Sequence, residues 1–431
     1  MTRKIKYTSA LLVSSAFLTA ALMSSPVRAA SDQDELRQRV ATMEQMLGDL
    51  KQRLEKSESI AKDAQQKAVK AENKAIVAEK LANADENASV NWHFSGYATA
   101  NYKQTDQTDT VSSFGSGKFN PLFLVGYKDL LTFQGELELS TNSDASTKVS
   151  LEYATLDLMA TDYATISMGK FLSPIGAFQS RLHPAWINKM PDRPAGFVED
   201  GGAEPLSEIG ASVHGGVELG SMLASYNFFV GNGPRLSDEG INMEGFGSDV
   251  NGNKAFGGRL GLRPVPYFEI GISGMHSRMN GVRPTSGTDV TDANFNLIDV
   301  DAAFTKGPWD IRGEFISSKL GKMTSAFDSG DTSATSIPEM SWQAWYTQAA
   351  YRLSGLTDHA ILGNFEPVVR YGHFSVSGDV PDWKTLEEDR VSVGLNYWFA
   401  PSVVMKASYS DRDFKNQADA NEFNVQFAYG F

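Results

Sequence analysis

Glu422-Phe423-Asn424-Val425-Gln426-Phe427-Ala428-Tyr429-Gly430-Phe431 alternates strictly, with Phe423, Val425, Phe427, Tyr429 and Phe431 on one side and Asn424, Gln426, Ala428 and Gly430 on the other. A two-residue period belongs to a β-strand, whose successive side chains point to opposite faces. The same pattern recurs at Val391, Val393, Leu395, Tyr397 and Phe399. An aromatic and aliphatic face backed by a polar or small one suits a strand with lipid on one side and water on the other.

Working back from there, the period of two begins near Val90 and predicts sixteen strands between residues 88 and 431. They are expected over 90–103, 119–128, 130–141, 148–160, 163–171, 208–218, 221–231, 255–264, 267–276, 295–304, 308–319, 341–353, 364–378, 388–399, 402–410 and 421–431. Short links such as 128–130, 161–162, 265–266 and 400–401 take turns with long loops. A soluble sandwich would not sort its loops by length onto two ends, whereas an all-β antiparallel transmembrane β-barrel does. Strands 2, 4 and 5 alternate poorly, and their faces stay unassigned. Glycines within the strand pattern, including Gly96, Gly135, Gly258 and Gly313, mark bends or close approaches.

The opening of the chain has another character. Arg3, Lys4 and Lys6 precede a mostly apolar run from Ala10 to Met23 and the small-residue site Val27-Arg28-Ala29, the order of a secretory signal peptide over 1–29. The run is too short to span a hydrocarbon core as a helix. Residues 30–87 carry an unbroken heptad series, Leu36, Val40, Met43, Leu47, Leu50 and Leu54 followed by Ser57, Ala61, Ala64, Ala68, Ala71, Ala75, Ala78 and Ala82. The flanking charges pair Arg39 with Glu44, Arg53 with Glu58, Lys67 with Glu72 and Lys74 with Glu79 in a parallel assembly. The reading is an α-helical coiled coil about 80 Å long at about 1.5 Å per residue. A single solvated helix is the alternative.

The formal net charge of -13 argues against a nucleic-acid partner, and cleavage of the leader removes only cations. There is no cysteine, so an exported chain gains nothing from disulfides. No later stretch approaches 18 consecutive apolar residues, so a closed barrel is the only route across a membrane.

Several residues carry a family resemblance. The aromatic alternation ending Phe427, Tyr429 and Phe431 resembles the insertion signal that the barrel assembly machinery of Gram-negative outer membranes reads. Gly169-Lys170-Phe171-Leu172-Ser173-Pro174-Ile175-Gly176 resembles porins of the phosphate-selective porin O and P superfamily, and the coil before the barrel resembles the DcaP-like trimeric porins. The resemblance implies a homotrimer in outer-membrane lipid, with the coil in the periplasm and possible contact with peptidoglycan. It also implies passive diffusion of small hydrophilic or anionic solutes without cofactor, and a third external loop, 172–207, folded into the lumen. Prolines 174, 184, 191, 194 and 205 would stiffen that loop. Strongly phosphate-selective members add a lysine cluster, which the sequence does not display.

Selectivity in a wide pore comes from charged walls. On inward strand parity, Arg352, Arg370, Arg390 and Lys406 lie on consecutive strands, with Lys103 just beyond the closure, and form an expected positive wall. Acids, among them Glu136, Glu138, Asp299, Asp301 and Glu314, dominate strand 3 and strands 9 to 11. The inserted loop adds Asp192, Glu199, Asp200 and Glu204 beside Arg181, Lys189 and Arg193. If wall and loop face each other, a transverse field follows, favouring anions near the wall. The alternative is that these charges merely hydrate the lumen and pair with one another.

Other chemistry is poorly supported. Asp249-Val250-Asn251-Gly252-Asn253 begins like a calcium loop, but Lys254 and Leu260 stand where a glycine and a bidentate glutamate are needed. No two histidines stand at metal-ligand spacing, so no metal is expected. His93 and His214 face inward and could serve a barrel hydrolase, yet no nucleophile motif accompanies them. A structural envelope tether, with the coil as its working part, is the remaining alternative to a channel.

Overall fold

In the computed structural model the described residues are position 48 and segments 90–107, 112–198, 201–237, 240–249, 252–328 and 330–431. The expected signal peptide and coiled coil therefore lie outside the described residues, as do Glu199 and Asp200.

Sixteen antiparallel strands form one closed barrel. They are β1 (Val90–Thr105), β2 (Ser113–Tyr127), β3 (Leu131–Thr141), β4 (Thr147–Thr161), β5 (Ala164–Leu172), β6 (Ser207–Leu219), β7 (Met222–Gly231) and β8 (Ala255–Val265). The second half comprises β9 (Phe268–Met279), β10 (Ala293–Lys306), β11 (Trp309–Leu320), β12 (Met340–Tyr351), β13 (Phe365–Ser377), β14 (Glu388–Ala400), β15 (Val403–Phe414) and β16 (Ala420–Gly430). Each strand pairs with its sequence neighbour, and β1 closes on β16 from Tyr97 opposite Gly430 to Thr105 opposite Glu422. Closure leaves no open edge, the condition for a sheet to stand in lipid.

The alternation appears as burial. In β12 every second residue is buried, beginning with Met340, Trp342 and Ala344. Outside, Val391, Val393, Leu395, Phe399, Phe423, Phe427 and Tyr429 form part of an exposed apolar belt. Phe431 packs against Phe94 and Tyr429 at ring separations of 5.7 Å each.

The poor alternation of strands 2 and 4 has a structural cause, whereas β5 pairs with β6 without a shift. The ladders shift register between Thr99 and Asn101, between Glu136 and Leu137, and between Met159 and Thr161. Each irregularity inserts a residue and reverses the parity beyond it. Strand β2 also starts at Ser113, six residues ahead of the expected 119.

The largest hydrophobic core lies inside the barrel. Inward residues of β10 to β13, including Phe295, Ile316, Leu320, Trp342, Tyr346 and Phe374, join Phe178 and Phe197 of the third loop and Ile241 and Met243 of the loop after β7. Phe178, Phe197 and Tyr346 meet edge to face at 5.8, 6.0 and 5.2 Å. Each fully buried aromatic of this kind contributes on the order of 1.5–3 kcal/mol. One side of the lumen is thereby filled, and open space is left along β1 to β7.

Candidate functional site: the lumen and its inserted loop

The third loop leaves β5 at Leu172, returns at Ser207, and is pinched at its base where the Ser173 amide donates to the Leu206 carbonyl at 3.0 Å. Between these points it enters the barrel through a short helix, α1 (Phe178–Leu182). Gly176 makes the entry possible: its φ is +67°, and a Cβ there would fall on the Glu314 carboxylate.

The first half of the loop docks by donating backbone amides. Gly176 N–H donates to Ser273 Oγ at 3.0 Å, Phe178 N–H to Glu314 at 3.0 Å, and Gln179 N–H to Glu204 at 2.8 Å. Asp299 and Asp301 are buried beside Glu314, and Arg259 binds Asp301 at 2.6 Å. Of the acids expected on the inner face, Glu314 receives a loop amide, while Glu204, which receives another, belongs to the loop itself.

The second half docks with the opposite polarity. Its carbonyls accept from the basic wall: Asp192 O from Arg370 at 3.0 Å, Arg193 O from Arg370 at 3.2 Å and from Arg390 at 3.0 Å, and Ala185 O from Lys406. The Asp192 carboxylate sits between Arg370 at 2.9 Å and Arg390 at 2.7 Å. Lys189 reaches Glu366 at 2.8 Å. Arg370 is 1% and Lys406 0% exposed, so these cations lie under the loop.

The remaining members of the expected wall sit near the barrel ends. Lys103, at the long-loop end, pairs with Glu422 at 2.7 Å. Arg352, just past β12 at the short-turn end, stacks its guanidinium over Trp398 at 5.1 Å. Wall and loop do face each other, but in direct contact with no water gap between them.

The loop's titration follows from this packing. Burial pushes the Asp192 carboxyl up, but Arg370 and Arg390 outweigh it and hold the group below the usual carboxylate range. Glu204 is buried with less compensation: desolvation raises it to about 7 against the pull of Arg193, 3.3 Å away.

Open space lies between the loop and the opposite wall. On the long-loop side, a cavity of about 410 Å³ is lined by Asn101, Lys118, Glu138, Glu152, Asp192 and Arg193 among others. A neighbouring one of about 420 Å³ shares Glu152 and Arg193 and adds Lys148 and Lys170. Toward the short turns, a cavity of about 650 Å³ is lined by Gly96, Glu136, Tyr153, Arg181, Trp186 and Phe431 among others. Arg181 is held by Glu269 at 2.5 Å. Lys118 and Lys148 were invisible to the period-two reading because they lie on the strands that the register shifts disturb, and Lys170 lies on β5, whose faces stayed unassigned.

Among the described residues no group of three or more histidine, aspartate or glutamate side chains is arranged to hold a metal ion. His214 lies 3.1 Å from Ser167 Oγ, a serine–histidine pair that the sequence did not announce. Ser167 is only 3% exposed, however, so substrate has no access to its hydroxyl.

A closed sixteen-strand barrel with an apolar outer belt and a third loop folded inward defines an outer-membrane porin, a channel for passive diffusion. The family model for the phosphate-selective porins O and P matches residues 270–431. The chain is 23% identical over 360 residues to an uncharacterized protein of Aquifex aeolicus (strain VF5), covering 78% of this chain and 79% of the relative. Its fold is similar to the anion-selective porin from Comamonas acidovorans, with a TM-score of 0.53 at 10% identity, covering 79% of this chain and 100% of that one. It is also similar to the outer membrane channel DcaP of Acinetobacter baumannii, with a TM-score of 0.51 at 12% identity, covering 80% and 99% of the two chains.

Proposed function

We propose that this porin passes small hydrophilic solutes with a preference for anions, without catalysis. The observation that carries the reading is the arrangement at Asp192: one carboxylate is shared by two guanidinium groups. Lys406 beside them hydrogen-bonds only neutral oxygens, those of Ala185 and Gln426. Around this point Lys103, Lys189, Arg370, Arg390, Lys406 and Arg412 face Asp192, Glu366, Glu388 and Glu422, which leaves positive charge in excess. Buried charge is poorly screened, so the excess acts through the thickness of the loop on ions passing its other side. On the passage itself Lys118, Lys148, Lys170 and Arg193 stand beside Glu138, Glu152, Asp192 and Glu244. The comparison with the anion-selective porin from Comamonas acidovorans supports the same sign.

In this reading Arg181, Lys189, Asp192, Arg193 and Glu204 belong to the constriction loop, and Arg370, Arg390 and Lys406 set its position and its field. The signal peptide over 1–29, the periplasmic coil over 30–87 and a parallel homotrimer built on it remain part of the proposal; the heptad seam and its four matched charge pairs support them. The reversal potential across a planar bilayer under a salt gradient tests the selectivity, and sedimentation of a 32–60 peptide tests the coil.

A further inference from the structure

His183 stands where the inserted loop meets the opposite wall of the barrel. It lines the cavity on the long-loop side and the cavity on the short-turn side, and Tyr97 is the only barrel-wall residue that does the same. These two side chains therefore mark the neck between the cavities. Glu136 of β3 lies in the same place, 2% exposed, accepting hydrogen bonds from Tyr97 Oη at 2.9 Å and Asn120 Nδ2 at 3.1 Å.

The tautomer of His183 follows from its partners. Its Nδ1 is 2.7 Å from the Gln179 carbonyl, which can only accept, so Nδ1 carries the proton. In the neutral ring Nε2 is then a bare lone pair. This Nε2 is buried without a hydrogen-bond partner, 3.9 Å from Glu136 Oε1, in a side chain only 8% exposed. A lone pair facing a carboxylate is an unfavourable contact; adding one proton turns it into an ion pair.

We propose that His183 is a specificity-determining residue of the channel: its protonation cancels the Glu136 charge at the neck, so ion preference moves toward anions as pH falls. The inference rests on the channel reading above. Imidazole is the side chain whose charge ordinarily changes between about pH 5 and 8. The other charged or titratable groups facing it are Tyr97 on β1, Lys118 on β2, Glu138 on β3, Glu152 and Tyr153 on β4, and Arg181, Asp192 and Arg193 of its own loop. Lys118 is paired with Glu138 at 2.8 Å, Arg181 with Glu269, and Asp192 with the two arginines. Glu136 is the carboxylate within 4 Å of the imidazole, and Nε2 points at it.

The test is the reversal potential of the purified full chain in planar bilayers under a potassium chloride gradient, at pH 8 and at pH 5. The anion-to-cation permeability ratio should rise roughly sevenfold at the lower pH, because one unit charge about 7 Å away in water favours the anion about threefold and disfavours the cation about threefold. His183→Asn keeps a donor for the Gln179 carbonyl but has no atom at Nε2, and should make the rise markedly smaller. Glu136→Gln removes the carboxylate and should raise the ratio at pH 8, whereas His373→Gln, on the outer face, should keep the full shift. Conductance like that of the unmodified protein at pH 8 reports an intact pore in each variant. Current with a pH-independent ratio in the unmodified protein, or a shift of undiminished size in His183→Asn, overturns the role of His183 alone. Absence of current at every pH overturns the channel and the inference with it.

Discussion

The Arg390 guanidinium holds the Asp192 carboxylate at 2.7 Å across 198 positions of sequence, and Arg370 of the neighbouring strand binds the same carboxylate at 2.9 Å. The contact ties the inner part of the third loop to β13 and β14, so the width of the pore depends on one carboxylate being present.

Replacing that carboxylate, Asp192→Asn, leaves the buried Arg370 guanidinium without a carboxylate partner and Arg390 with Glu388 alone. Breaking a buried pair from one side costs about 3–5 kcal/mol. The cost falls on loop docking, because the barrel ladder is untouched. Single-channel recordings should show noisier and larger conductance with a stronger anion preference. A quiet trace of unchanged size would mean that the apolar contacts of Phe178 and Phe197 hold the loop unaided.

Glu204 gives the protein a pH dependence of stability with a definite sign. Burial raises this carboxyl to about 7 in the folded state, above the ordinary glutamate value of about 4.3. The folded protein therefore binds a proton more readily than the unfolded chain, and stability falls as pH rises through that window, then levels off above about 7. Asp192 has the opposite sign: held low by Arg370 and Arg390, its contribution is complete at neutral pH and lost only as pH falls through its lowered value. Thermal unfolding in detergent should show the decline between about pH 4.5 and 7, and Glu204→Gln should make it shallower. Equal slopes in both proteins would contradict the assignment.

Phe431 lies on the lipid-facing side, and its backbone exchanges hydrogen bonds with Gly96 at 2.9 and 3.1 Å. Phe431→Asp places a charge among Phe94, Phe119 and Tyr429 and should lower the amount of heat-modifiable barrel in the outer membrane several-fold. Wild-type levels would remove Phe431 from any part in assembly.

The sixteen strands were legible because lipid outside and polar groups inside impose a two-residue period on almost every one, and their ends fall mostly within a few residues of expectation. Strands β2 and β4 were harder, since the register shifts opposite Thr99, at Glu136 and at Met159 break the parity that carries the signal. The filled half of the lumen was not legible at all: Phe295, Ile316, Trp342 and Phe374 face inward yet are apolar, because loops cover them. For the charged residues, sequence parity shows that Arg370 and Lys406 point inward. It cannot show that the third loop lies on top of them, since a side chain's surroundings depend on segments nearly 200 positions away. The bare Nε2 of His183 likewise has no sequence signal, as it arises from a carbonyl four residues earlier and a carboxylate on β3.

The central claim is that excess buried cation beneath the loop gives the channel its sign, and the zero-current potential of the purified protein under a potassium chloride gradient at low salt tests it most directly. The account predicts a potential on the anion side, reduced in Lys406→Gln, which removes a cation bound only by neutral oxygens and strands no carboxylate. A potential on the cation side in the unmodified protein, or one that Lys406→Gln leaves unchanged, would contradict it.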